Sequence, residues 1–429
     1  MRALVTDPSS VDPGAYRAFI RAAQLEGMMA DHLVEGEPYL AYNAIVLNGE
    51  DDTLLGSLTE AFTSALVRAG DVVARDVPLL VEMGFPWVAA ELLAAEPAGA
   101  PIVGRFDFVQ DAAGHWWLLE YNADTPSGFR ETVVVDRLVS QGLEEARGLR
   151  RPSAEFGAML RKAFIDACAD LPPGSALGLV TNAGEMEDLA QLAFAGRLVG
   201  PELERRGLKV VLADLDNVSS PRGRLALCGE QVAALYRGAP IEAMLGTPVF
   251  PAIFEPVATH RLRLLNGLFG LLLQHKGLFA WLWSHRADPV FTERERWAIE
   301  THLPPTFPIA EVPADERQAF VAKQVFGREG EEVFFGRAIV EATWDGLRRQ
   351  RTYIAQEWVD VQEVPAVVPT ALGPVAAAGF ATVGCFNIRD QAVGYYTRFG
   401  GRVTTSHAKW LATFIADDRG ASTTGGGDR

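Results

Sequence analysis

From residue 15 to 98 the apolar positions recur mostly at helical spacing, as in "LGSLTEAFTSALVRAGDVVARDV", which predicts amphipathic helices. "EMGFPW" and "AEPAGAP" punctuate this region. The period then drops to two. "GRFDFVQDAAGHWWLLEYN" (104–122) reads as two strands around a "DAAG" turn. Helical spacing returns from 131 to about 172. "ALGLVTN" (176–182), "LKVVLADL" (208–215) and "QVAALYRG" (231–238) then read as short buried strands between helices, a rhythm that predicts a small parallel α/β unit. A helical run continues to about 302, and "THLPPTFPI" marks a loop and boundary. "AFVAKQVFGREGEEVFF" (319–335) predicts a hairpin with a glycine-bearing tip, and "TYIAQEWVDV" a further strand. "GFATVGCFNIRDQAVGYYTRFGG" predicts a closing hairpin around "IRDQ". The expected parts are 1–150 (helices plus the first hairpin), 151–302 (the α/β unit), 303–415 (the later hairpins) and a disordered tail, 416–429, whose "DRGASTTGGGDR" has a linker's composition.

The first hairpin breaks the rule that core strands are apolar. Alternation puts Arg105 and Asp107 on one face and Phe106 and Phe108 on the other. On the return strand Leu118, Glu120 and Asn122 share a face. A four-residue turn would pair Gln110 with His115, set Arg105 opposite Glu120, and gather Arg105, Asp107, Glu120 and Asn122 into one patch. A slip of one residue would split it. Two carboxylates and an amide oxygen suit Mg²⁺, which takes few protein oxygens plus phosphate and water. A guanidinium beside them suits a phosphate. An ordinary ion pair on an exposed sheet face would use the same four residues.

In "AKQVFGREGEEV" Lys323 precedes a loop carrying Gly327 and Gly330. Glycines let backbone amides approach phosphates and lysine adds a movable charge; a solvated charged hairpin is the plainer account. No Walker GxxxxGK[ST], HExxH, Cys/His cluster or GxSxG elbow occurs. "HKGLFAWLW" reads as a buried amphipathic helix, and "GEMED" (184–188) as a loop or an acidic helix start.

Composition narrows the class. Of 429 residues, 48% are hydrophobic and 22% charged, as in globular proteins. With 55 acidic against 39 basic residues the net charge is −16, which argues against nucleic acid or an anionic membrane as partner. Three scattered cysteines make a disulfide framework unexpected. No apolar signal segment is visible at the amino terminus, and the most apolar run is broken by Gln274, His275 and Lys276. A cytoplasmic protein is expected.

Taken in order, "GRFDF…LLEYNADTPSGFRE", "HKGLFAWLW", "KQVFGREGEEV", "QEWV" and "GYYTRFGG" resemble the synthetase domain of the glutathionylspermidine synthase family, over about residues 80–415. The resemblance implies a mixed α/β, ATP-grasp-like fold that is circularly permuted, because Lys323 follows the Glu-x-Asn motif, with a small parallel pre-ATP-grasp-like subdomain. It implies an ADP-forming carboxylate–amine ligase using ATP and Mg²⁺ on small-molecule acid and amine substrates. Asp107, Glu120 and Asn122 would hold Mg²⁺ and Arg105 the γ-phosphate. Lys323 with the Gly327–Gly330 loop, including Arg328 and Glu329, would hold the nucleotide phosphates. Gln356 and Glu357 would lie along the adenine hinge, Arg398 would face the reacting centre, and Thr125, Ser127 and Glu187 would meet substrate. The chain begins directly with the synthetase-like part, so amidase activity is not expected. Gly128 stands where some members carry a cysteine, and "LYRG" (235–238) lacks hydroxyl residues of true glutathionylspermidine synthases, so other substrates than glutathione and spermidine are expected. The alternative, a non-catalytic nucleotide-binding homologue, would need a damaged metal motif, and all three of its residues are present.

Overall fold

The computed structural model describes residues 1–328, 330 and 332–416. Glu329 and the tail from 417 onward, expected to be disordered, lie outside the described residues; Ala416 ends a strand. "LAYNAIVLN", inside the region expected to be helical, is instead the strand Leu40–Asn48. Eight of its nine residues are buried, so both faces are covered and the run carries no alternation to reveal a strand. It pairs in parallel with Lys409–Ala416. From there the central sheet runs through Gln391–Gly400, Gly373–Ile388, Gly104–Gln110 and Trp116–Asn122, antiparallel throughout. Glu363–Thr370 also pairs with Gly373–Ile388.

Asn48 accepts a hydrogen bond from the Asp51 amide (2.7 Å), and Glu50, Asp51 and Asp52 fill the first turn of the long helix Gly49–Ala74, an arrangement that stabilises the positive helix end. Leu55, Leu58, Phe62, Ala65, Leu66, Ala69 and Val73 form its buried stripe, which meets Phe106 from the sheet.

The expected parallel unit is present. Ala176–Thr181 lies between Lys209–Asp214 and Ala234–Arg237, all parallel. Helix Met186–Arg205 crosses from the first to the next. A fourth strand, Arg263–Leu265, lies in the stretch expected to be helical. A third, antiparallel sheet takes Thr306–Pro308, Tyr353–Glu357, Phe320–Gln324 and Val333–Phe335, packed on the buried Trp344. The segment 303–415 thus supplies two sheets. Among the described residues no helix is long and apolar enough to cross a membrane.

Candidate active site

The first hairpin keeps its polar patch by a different register from the one the turn suggests. Gln110 pairs with Trp116, Phe108 with Leu118, then Asp107 with Glu120 and Arg105 with Asn122. Leu119 is the extra residue of a β-bulge. Without it Asp107 would face Leu119, and Glu120 and Asn122 would turn into the core. With it, Trp116, Leu118 and Tyr121 are buried while Leu119 and Glu120 both face outward. Leu118 therefore lies opposite Glu120 and Asn122, not beside them. Tyr121 stacks on Phe106 with ring centroids 3.8 Å apart, which fixes the core side of the pair.

On the other side Arg105 grips Asp107 with two hydrogen bonds, Nε to Oδ1 at 2.7 Å and Nη2 to Oδ2 at 2.9 Å. Its Nη1 donates to the Ser127 carbonyl at 3.0 Å, and the guanidinium stacks 4.6 Å over Tyr396. Asn122 Nδ2 donates to Asp107 Oδ2 at 3.1 Å. Burial raises the Asp107 carboxyl, and Glu120 adds to the rise while Arg105 opposes it. Burial would raise Glu120 as well, but Lys276, Lys323 and Arg105 pull it below its ordinary value.

Glu120 opens into a cleft between the central and third sheets, about 910 Å³ including its open mouth. The fold brings Asp107, Glu120, Lys323, Gly327, Gly330, Gln356 and Glu357 together along it. Two ammonium groups converge on it, one buried (Lys276) and one half-buried (Lys323). Lys323 Nζ donates to Gln356 Oε1 at 2.6 Å and to the Leu119 carbonyl at 3.4 Å. Lys276 Nζ donates to the Gly327 carbonyl at 2.6 Å and lies 3.8 Å from Glu120 Oε2. Burial lowers Lys323 to about 8 against the pull of Glu120, with Lys276 adding to the fall. Burial also lowers Lys276. The Gln356 side chain is used to hold Lys323 and Thr306; of the expected hinge pair only Glu357 is exposed.

Arg328 turns away from the cleft floor. It donates to Thr125 Oγ1 (3.1 Å), Asp124 Oδ2 (3.0 Å) and both oxygens of Glu242 (2.9 and 3.1 Å). Asp124, fully buried, also pairs with the fully buried Arg237. The glycine loop is thereby tied to the turn that follows the Glu-x-Asn strand. Gln191 secures that turn from the other side, accepting from the amides of Gly128 (2.8 Å) and Phe129 (3.2 Å) and donating to the Pro126 carbonyl. Gly128 has φ +105, and a Cβ there would collide with the Tyr396 ring, so glycine is required.

Tyr396 belongs to a second polar cluster. Its hydroxyl is 2.6 Å from that of Tyr39, which donates to Glu131 Oε1 at 3.2 Å. Arg398 lies over the Tyr39 ring and donates to the Thr405 carbonyl. Glu187 sits one helical turn before Gln191, on the same face. Water reaches it, yet protein crowds it; that desolvation, then Glu131 and Asp31, raises its carboxyl to about 8. Arg105, bonded to Asp107 and stacked on Tyr396, links this cluster to the cleft.

Lys276 and Gln274 escape a sequence reading because their helices read as buried apolar ones. The signal was the polar "QHK" between two such helices. Gln274 Oε1 accepts from the amides of Ala123 and Asp124, both at 3.1 Å, and Gly270 lets the helix lie against the Ala123 carbonyl. Among the described residues no three His, Cys, Asp or Glu side chains cluster closely enough to hold a metal alone. Asp107 facing Glu120, with the Asn122 amide beside them, nevertheless suits a Mg²⁺ that takes its remaining ligands from phosphate and water.

The family model for the glutathionylspermidine synthase pre-ATP-grasp region matches residues 20–416. A search of curated proteins gives no match. Among solved structures, a glutathione synthetase-like effector from Globodera pallida in apo form superposes with a TM-score of 0.66 at 12% identity, covering 96% of this chain and 99% of its own. A putative gamma-glutamylcysteine synthetase from Methylobacillus flagellatus gives 0.43 at 13% identity, covering 82% and 88%. The first likeness shows the shared synthetase fold. The expected ATP-grasp-type α/β architecture holds, and the chain belongs to the glutathionylspermidine synthase family.

Proposed function

We propose that this protein is an ATP-dependent, ADP-forming ligase that joins a small-molecule carboxylate to an amine through an acyl phosphate. One observation carries the reading. Two desolvated ammonium groups, the buried Lys276 and the half-buried Lys323, share Glu120 as a carboxylate in one cleft. A triphosphate chain supplies the anionic charge that such a cleft lacks.

In this scheme a substrate carboxylate oxygen attacks the γ-phosphorus of ATP, and ADP leaves. The amine nitrogen then attacks the acyl carbon, loses a proton, and displaces phosphate as the amide forms. Positioning and charge neutralisation suffice for such a transfer, with no covalent protein nucleophile. Lys276 and Lys323 hold the phosphates, and Gln356 aims Lys323. Asp107, Glu120 and Asn122 would hold Mg²⁺, which would neutralise charge on the phosphates. Arg105, fixed by Asp107 and Tyr396, reaches from the phosphate side to the turn at Ser127. The acid lies between that turn and Arg398, and the acidic lip around Glu187 receives the amine. Tyr396 fills the space a side chain at 128 would occupy, which supports substrates other than glutathione and spermidine.

Incubation with ATP, Mg²⁺ and panels of acids and amines is expected to release ADP and phosphate for at least one pair. Glu120→Gln should abolish that turnover and leave the fold intact. ATP binding with no turnover for any pair would support the non-catalytic alternative; full activity in Glu120→Gln would refute the metal assignment.

A further inference from the structure

The nucleotide cleft has two lips, and one short segment touches both. Gly401–Thr405 leaves the central sheet at the end of Gln391–Gly400. On one side Gly330 of the glycine loop packs so closely on it that a Cβ would strike Val403 and come within 2.9 Å of the Thr404 carbonyl. On the other side stands Arg402. Its guanidinium lies 4.4 Å over the Phe380 ring of the central sheet and 5.5 Å from the Trp358 ring. Its Nη1 is 3.5 Å from Asp360 Oδ1. Trp358 and Asp360 follow the third-sheet strand Tyr353–Glu357, so this one side chain crosses from the central sheet to the chain leaving the other. Arg337 stacks on Trp358 at 4.0 Å and Phe335 meets it edge-on at 5.1 Å, which holds the indole in place for Arg402.

We propose that Arg402 closes the mouth of this cleft and sets how fast nucleotide leaves it. The inference rests on the nucleotide reading of the cleft. Arg402, Trp358 and Phe335 all line the cavity, as do Glu357 and Val359. A cation–π contact and an ion pair that both remain partly wet are weak individually. That suits a closure that must open once per turnover. The same segment also holds Arg398, which donates to the Thr405 carbonyl, so closing the mouth and placing Arg398 share a backbone.

The test uses the full chain, a fluorescent ADP analogue with Mg²⁺, and stopped-flow displacement by excess ADP. Arg402 is 44% exposed, so its replacement leaves the core untouched. Arg402→Ala is expected to raise the dissociation rate about fivefold and to change association less than twofold. Arg402→Lys, which keeps charge but not the planar stack, should recover only part of the difference. Nucleotide that leaves Arg402→Ala at the wild-type rate would overturn the proposal while leaving the nucleotide reading intact. A wild-type protein that binds no ADP analogue at millimolar concentration would overturn both.

Discussion

Replacing Asp124 tests the buried link between the glycine loop and the metal strand. Asp124 and Arg237 are both fully buried. Among the described residues the Arg237 guanidinium otherwise hydrogen-bonds only two carbonyls, Ala239 at 3.1 Å and Asn266 at 2.7 Å, and its Nε has no hydrogen-bond partner. Asp124→Ala therefore leaves a guanidinium charge inside the protein with two neutral acceptors. A buried charge stripped of its partner costs about 3–5 kcal/mol. Arg328 is 28% exposed and keeps Glu242, so it adds little. Arg237→Met in the same chain removes the stranded charge, and the double variant should return to within about 2 kcal/mol of wild type. Urea unfolding followed by tryptophan fluorescence measures each variant, and the cycle gives the coupling. A single variant within about 1 kcal/mol of wild type, or a double variant as unstable as the single, would refute the reasoning.

Three further outcomes follow from the same geometry. Gly128→Ala combines a positive φ with a collision against a buried tyrosine, and should lower stability by about 3 kcal/mol or more, read by denaturant midpoint. Glu96 is half-buried, and its desolvation raises its carboxyl to about 7 although the Phe269 amide, Arg237 and the Leu268 amide oppose this. A folded value above the unfolded 4.5 means stability present below about pH 4.5 and lost as pH rises through 7, by at most ~3 kcal/mol; Glu96→Gln should flatten that dependence in melts between pH 5 and 8. Lys323→Met should weaken ADP binding by calorimetry about tenfold or more and leave the melting temperature at or above that of wild type, because a desolvated ammonium is removed.

Much of this architecture was legible because its elements alternate visibly. The three hairpins, the parallel unit and the Glu-x-Asn and lysine stretches each have a period or punctuation of their own. Leu40–Asn48 did not, because a strand covered on both faces has no polar phase. Arg263–Leu265 was too short to interrupt its helical surroundings. The cleft residues Asp107, Glu120 and Lys323 announced themselves as charges where strands should be apolar. Lys276 did not: its ammonium leaves the first turn of an otherwise apolar helix, and only the third dimension brings it to Gly327 and Glu120. The same holds for Arg328, whose loop suggested phosphate while its donors go to Asp124, Thr125 and Glu242.

Leu119 makes one point sharper than any charged residue here. It has no cross-strand partner, and its own carbonyl receives Lys323. The chemistry of this strand is therefore written in its parity, the odd or even count of residues from the turn, as much as in its letters. Pairing Leu119 in regular alternation would keep every functional side chain in the sequence and send Glu120 and Asn122 to the wrong side of the sheet. Any engineered transplant of this hairpin has to carry the count with it.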